Sequence, residues 1–124
     1  MARWMVTALI AIVGQLAAPA VAGPAASKFQ TVQIFAGSVQ NEFAFTPGEV
    51  TVPVEQPVKL TVTNRGKVDH DFHIEAIGVT IRSLIPSGKS ATVDFTPTKR
   101  GSFEFFCEVS GHKEAGMKGA FIVR

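Results

Sequence analysis

The sequence predicts an all-β protein, a Greek-key β-sandwich of seven to eight short strands. Two observations carry this. Apolar residues recur at every second position in several short runs, and Gly or Pro punctuates the chain between those runs. A third agrees with them: beyond the N-terminal segment no stretch sustains a 3.6-residue period, and no internal repeat or low-complexity tract is visible.

The first 22 residues stand apart. Arg3 precedes an uncharged run from Trp4 to Ala22, and Ala20-Val21-Ala22 before Gly23 has the small-residue pattern of a signal-peptide cleavage site. The rival reading is a retained membrane anchor, because about 18 apolar residues suffice to span a bilayer. Gly14, Gln15, Pro19 and the small-residue end argue for cleavage. The expected division is a signal peptide over 1–22 and one domain over 23–124, long enough for a small sandwich with its own core. With neither a twin-arginine pair nor a lipobox cysteine, export to the periplasm is the expected destination.

Gly23 to Ser27 is a small-residue lead into the first strand, expected over Phe29 to Phe35 and ended by Gly37-Ser38. Phe43 and Phe45 alternate with Glu42 and Ala44 until Pro47-Gly48 forces a turn. Val50, Val52 and Val54 alternate with Glu49, Thr51 and Pro53. After Gln56-Pro57, Val58, Leu60 and Val62 alternate with Lys59, Thr61 and Thr63, and Asn64-Arg65-Gly66 closes this pair of runs. Each run has one face for a core and one for water.

In the next strand the same parity separates two histidines. His70, Phe72 and Ile74 share one face, and Asp71, His73 and Glu75 share the other. His73 therefore reads as a solvated or surface-paired histidine. Ile77 to Pro86 reads as loop with at most a short strand, before a turn at Ser87-Gly88. Ala91, Val93 and Phe95 alternate with Ser90, Thr92 and Asp94. After Pro97 to Gly101, Phe103, Phe105 and Cys107 face one way and Ser102, Glu104 and Phe106 the other, so Cys107 reaches the core side. Ala120 to Val123 forms the last strand.

Chemistry concentrates between Cys107 and Met117. Cys107, His112 and Met117 stand at the spacing C-x4-H-x4-M, with Gly111 and Gly116 ahead of the second and third donors, where a tight turn favours residues that tolerate positive φ. Taken singly, each has a bland reading: a buried small hydrophobe, a solvated imidazole, a packed thioether. Together a soft thiolate, an imidazole and a weak thioether are the donors of a trigonal copper site with Met on the axis. Zinc accepts Cys and His but gains little from a thioether, and a binuclear copper centre needs a second cysteine where this chain has one. A lone thiol in an exported protein also needs a reason to persist, and metal ligation supplies one.

Such a site needs a second histidine, and His70 on a separate strand meets the requirement. With it the chain resembles the cupredoxins, single-domain blue-copper proteins in which an early His in an H-[DN]-F-x-I strand joins a Cys…His…Met loop near the C-terminus. Val68-Asp69-His70-Asp71-Phe72-His73-Ile74 and the Cys107–Met117 loop carry the likeness, and Phe45-Thr46-Pro47 and the 50–64 runs extend it over most of the chain after residue 40. The gaps of four residues on both sides of the loop histidine are those of rusticyanin- and auracyanin-like members. The resemblance implies the sandwich fold and one mononuclear type 1 copper ion held by His70, Cys107, His112 and Met117. It also implies backbone N–H groups near Asp71 that hydrogen-bond the Cys107 sulfur and tune the metal.

The expected function is that of a periplasmic, monomeric electron carrier. It would exchange single electrons with redox proteins such as c-type cytochromes or a membrane oxidase or reductase, with His112 as the exit. The alternative is a module that stores or delivers copper, though such modules favour Met- and His-rich sites and residues 23–124 hold one Met. An enzyme such as a copper nitrite reductase would need a further catalytic copper, and apart from His73 no histidine remains to build one. The 12 basic side chains balance 10 acidic ones without a basic stripe interleaved with aromatics, so nucleic-acid binding has no electrostatic support.

Overall fold

The computed structural model describes residues 28–124 together with Gly14, so the expected leader and domain boundary lie outside the described residues. Nine strands are found in them: β1 (Gln30–Ala36), β2 (Phe45–Thr46), β3 (Glu49–Val52), β4 (Val58–Asn64), β5 (His70–Ile74), β6 (Val79–Ile85), β7 (Ser90–Phe95), β8 (Gly101–Phe106) and β9 (Lys118–Val123). They form two mixed sheets, ordered β2-β1-β4-β7 and β3-β9-β8-β5-β6. Among the described residues no helix is long and apolar enough to cross a membrane.

The alternation seen in the sequence is the inward face of this sandwich. Val58, Leu60 and Val62 of β4 face Val50 and Val52 of β3, Phe121 and Val123 of β9, and Phe72 and Ile74 of β5 across one continuous apolar core. Phe45, Phe72 and Phe105 close the core beneath the loop end, with Phe45 set edge-on to each of the other two. Burial of such large apolar side chains is the main favourable term in holding the two sheets together.

The runs on either side of Gln56-Pro57 do not pair with each other: β3 lies parallel to β9 and β4 parallel to β1, in different sheets. Both runs have the same period, and period fixes which side chains face inward but not which strand is the neighbour. The segment expected to be mostly loop contains the seven-residue strand β6. Its pattern was obscured because Arg82, Ser83 and Leu84 are all exposed where the β5–β6 ladder shifts register between His70 and Phe72. A bulge of this kind re-aims side chains at the end of a sheet. All five residues of β5 are buried.

Asn64 closes β4 with a polar side chain that is wholly buried. Its amide donates to the carbonyls of Val68 and Ile85, each at 2.7 Å, and its Oδ1 accepts the Gly66 N–H at 2.8 Å. One side chain thereby pins the loop that delivers His70 to β6, and all its principal polar groups are satisfied.

Candidate metal centre

β5 and the loop after β8 bring three donors together at one end of the sandwich. His70 opens β5, Cys107 follows the last residue of β8, and His112 stands in the loop between β8 and β9. His70 Nδ1 lies 3.2 Å from His112 Nδ1, which lies 3.5 Å from Cys107 Sγ. The donor atoms of all three are within 4.8 Å of one another, and all three residues are buried.

The loop holds its shape through its own backbone. The His112 N–H donates to Val109 O, Met117 N–H to His112 O, and Cys107 N–H to Met117 O, at 2.9, 3.0 and 3.2 Å. Gly111 and Gly116 take φ of +82° and +110°, as the turn reading required. Met117 is completely buried in the apolar core and is tied to Cys107 and His112 through its main chain. The Phe43 ring meets His112 edge-on at 4.9 Å, covering the more exposed of the two histidines.

Glu42, which the sequence shows only as an alternating neighbour of Phe43, also belongs to the site. Its Oε1 is 3.0 Å from His70 Nε2, and the carboxylate accepts the N–H groups of Lys67 and Val68 at 2.9 Å. A Cβ on Gly66 would collide with this carboxylate, so that glycine makes room for it. Burial pushes the Glu42 carboxyl up, but the hydrogen bonds from Val68, Lys67 and His70 outweigh it and hold the group below the usual range. Because an ionised carboxylate only accepts, the His70 proton sits on Nε2 and the Nδ1 lone pair faces His112 and Cys107. No sequence motif marks Glu42; the fold alone places it 28 positions upstream of its partner.

Burial dominates the electrostatics of the site. Burial raises the Cys107 thiol from 9.0 to about 11, partly offset by backbone N–H bonds to its sulfur from Asp71 and Val109. The first of these is the bond expected from the resemblance. Asp71 Oδ1 in turn accepts the Glu108 N–H at 2.7 Å, linking the strand of His70 to the residue after Cys107. Burial also depresses His70, opposed by its bond to Glu42, which favours the neutral imidazole that a metal requires. The donor set fits copper: two imidazoles and a thiolate converge at separations consistent with metal–ligand bonds of about 2.0–2.3 Å, beside a buried thioether residue.

His73 departs from its solvated reading. It is 3% exposed, with its ring 5.8 Å from that of Phe106. Its carboxylate pairing does hold: Nε2 lies 3.1 Å from Asp71 Oδ2 and 3.5 Å from Glu108 Oε2. Strand parity put His73 opposite His70 correctly, but β8 supplies Phe106 and the residue beyond it supplies Glu108, which cover that face.

The profile of the cupredoxin-like domain family matches residues 5–123. A curated relative, the copper-resistant cuproprotein CopI of Rubrivivax gelatinosus, is 29% identical over 120 residues, covering 82% of this chain and 71% of the relative. Auracyanin A, a blue copper protein of Chloroflexus aurantiacus, superposes with a TM-score of 0.62 at 22% identity, over 77% of this chain and 98% of that one. The metal-binding domain of the Streptococcus pneumoniae Cu(I)-exporting P-type ATPase CopA does so with a TM-score of 0.63 at 19% identity, over 78% and 87%. These two likenesses are of fold.

Proposed function

The chain belongs to the cupredoxin-like domain family and is a copper-binding protein, and within that family we propose that it is a mononuclear type 1 copper protein that carries single electrons. The observation that carries this reading is the convergence of His70 Nδ1, His112 Nδ1 and Cys107 Sγ in a buried pocket. Bound copper supplies the one-electron chemistry, passing between Cu(I) and Cu(II). Cys107 would hold the copper as thiolate, His70 and His112 through Nδ1, and Met117 would add its thioether as a weak donor. Glu42 orients His70, and the Asp71 and Val109 N–H groups hold the Cys107 sulfur. The ligands sit on a strand end and a hydrogen-bonded loop, so a change in metal charge meets little freedom to rearrange. His112, close to the surface beneath Phe43, is the exit for the electron.

The signal-peptide pattern expected over 1–22 and the single cysteine support a periplasmic location. The proposed partners are c-type cytochromes or a membrane oxidase or reductase, met by a monomer through a small, short-lived interface. The test is to load the protein with Cu(II), record optical and EPR spectra, and follow electron exchange with a c-type cytochrome by stopped flow. An intense thiolate-to-copper band with fast exchange supports the reading, and a colourless complex or no exchange overturns it. The mass of the exported protein reports whether Trp4 and the rest of the leader are removed.

A second reading, that the protein holds or delivers copper in copper tolerance, is favoured by its likeness to a copper-resistant cuproprotein. The buried Met117 and the loop closed over the donors argue against rapid release. Transfer of Cu(I) to a chelator faster than electron exchange would favour delivery.

A further inference from the structure

We propose that Asp71, His73 and Glu108 form a second metal site, for a divalent transition-metal cation, on the outer face of the five-stranded sheet. Their donor atoms lie within 4.8 Å of one another, separately from the His70–Cys107–His112 cluster. His73 Nε2 stands 3.1 Å from Asp71 Oδ2 and 3.5 Å from Glu108 Oε2. Ligands bound to one ion at about 2.0–2.2 Å lie about 3.0–3.6 Å apart, so these two separations are edges of an ordinary coordination polyhedron.

The histidine itself points to a ligand. His73 is 3% exposed, and its Nε2 is buried without a hydrogen-bond partner among the described residues, although two carboxylate oxygens flank it. The close approach to Asp71 is at ion-pair distance without hydrogen-bond geometry, so the nitrogen's directional valence stays unsatisfied, and a cation between the three donors would satisfy it. Asp71 is held for the task, since its Oδ1 accepts the Glu108 N–H at 2.7 Å while Oδ2 faces His73. The three groups line a polar pocket of about 340 Å3 with Glu75, Thr80 and Arg82. The Glu108 side chain is 58% exposed and forms its rim, so an ion enters from solvent. Three carboxylates there outnumber the single guanidinium.

Imidazole with two carboxylates is a harder donor set than thiolate with thioether. It suits Zn(II) or Cu(II) and discriminates against Cu(I), so the two sites differ in preference. They remain mechanically joined, because Asp71 follows His70 and Glu108 follows Cys107. An ion at the outer site ties β5 to the start of the copper loop.

The proposal does not depend on the electron-carrier reading, and its test keeps the two apart. The protein, loaded with one equivalent of copper, is mixed with excess Zn(II), desalted and assayed for both metals. One retained equivalent of zinc is expected, lost in His73→Ala and at least tenfold weaker in Glu108→Gln, with the copper band unchanged in both. Glu108→Gln alters an exposed rim and leaves the core intact, which covers the case in which His73→Ala does not fold. Cys107→Ser protein, crippled at the first site, should still hold a zinc equivalent that depends on His73. The proposal is overturned if no zinc is retained beyond the copper, or if folded His73→Ala or Glu108→Gln binds zinc as tightly as the parent.

Discussion

Glu42 Oε1 stands 3.0 Å from His70 Nε2, so a carboxylate fixes the tautomer of a histidine whose other nitrogen faces Cys107 and His112. Partners of this kind orient a ligating imidazole and raise its basicity, and their loss costs roughly 10–100-fold in metal affinity. Glu42→Gln should therefore weaken copper binding by about that factor and raise the reduction potential, since a negative charge behind His70 favours Cu(II). Chelator competition and redox titration measure both. Unchanged values would remove Glu42 from the site.

Cys107 alone can provide the sulfur-to-copper charge transfer, whereas the apolar faces of β3, β4 and β9 hold the sandwich. Cys107→Ser should abolish the intense visible band and preserve the far-UV circular dichroism. A band of parental intensity in the variant would sink the ligand assignment.

The two histidines of β5 should behave oppositely. His70→Ala is expected to lose copper from the site, because it removes a donor 3.2 Å from His112 Nδ1, while His73→Ala should leave the visible spectrum of the copper-loaded protein almost unchanged. Loss of colour in a folded His73→Ala protein would contradict the separation of the two faces.

Asn64→Ala removes a part-buried hydrogen bond to the Val68 carbonyl and buried ones to the Ile85 carbonyl and the Gly66 N–H. Unpaired buried groups cost about 1–3 kcal/mol each before relaxation and water entry, so a loss of about 2–4 kcal/mol is expected in urea unfolding. A cost below about 0.5 kcal/mol would show that the loop does not depend on this residue.

The metal-free protein should lose stability at high pH. Burial raises the Cys107 thiol in the folded state from 9.0 to about 11, so the folded chain keeps its proton where the unfolded chain has released it. That contribution is complete below pH 9.0 and is lost as pH rises towards about 11, amounting to about 2–3 kcal/mol. Urea midpoints across this range should fall for the parent and stay flatter for Cys107→Ser. Equal slopes would exclude Cys107 as the cause.

By itself the sequence determined whatever depends on short spacing. The period of two in the runs at 50–62 and 91–95 specified inward faces, and the interval from Cys107 to Met117 specified a donor loop with glycines where positive φ was needed. His70 was separable from His73 by parity alone. Only the tertiary structure decided what depends on strand neighbours. It set β3 beside β9 and β4 beside β1, aligned Glu42 behind His70, buried Asn64, and closed Asp71 and Glu108 around His73. The physical reason is that alternation encodes burial through the local direction of each side chain, and a ligand loop is a local object. A hydrogen bond between residues 28 or 37 positions apart leaves no periodic trace in the chain, and forms only when packing of the apolar faces has set the register.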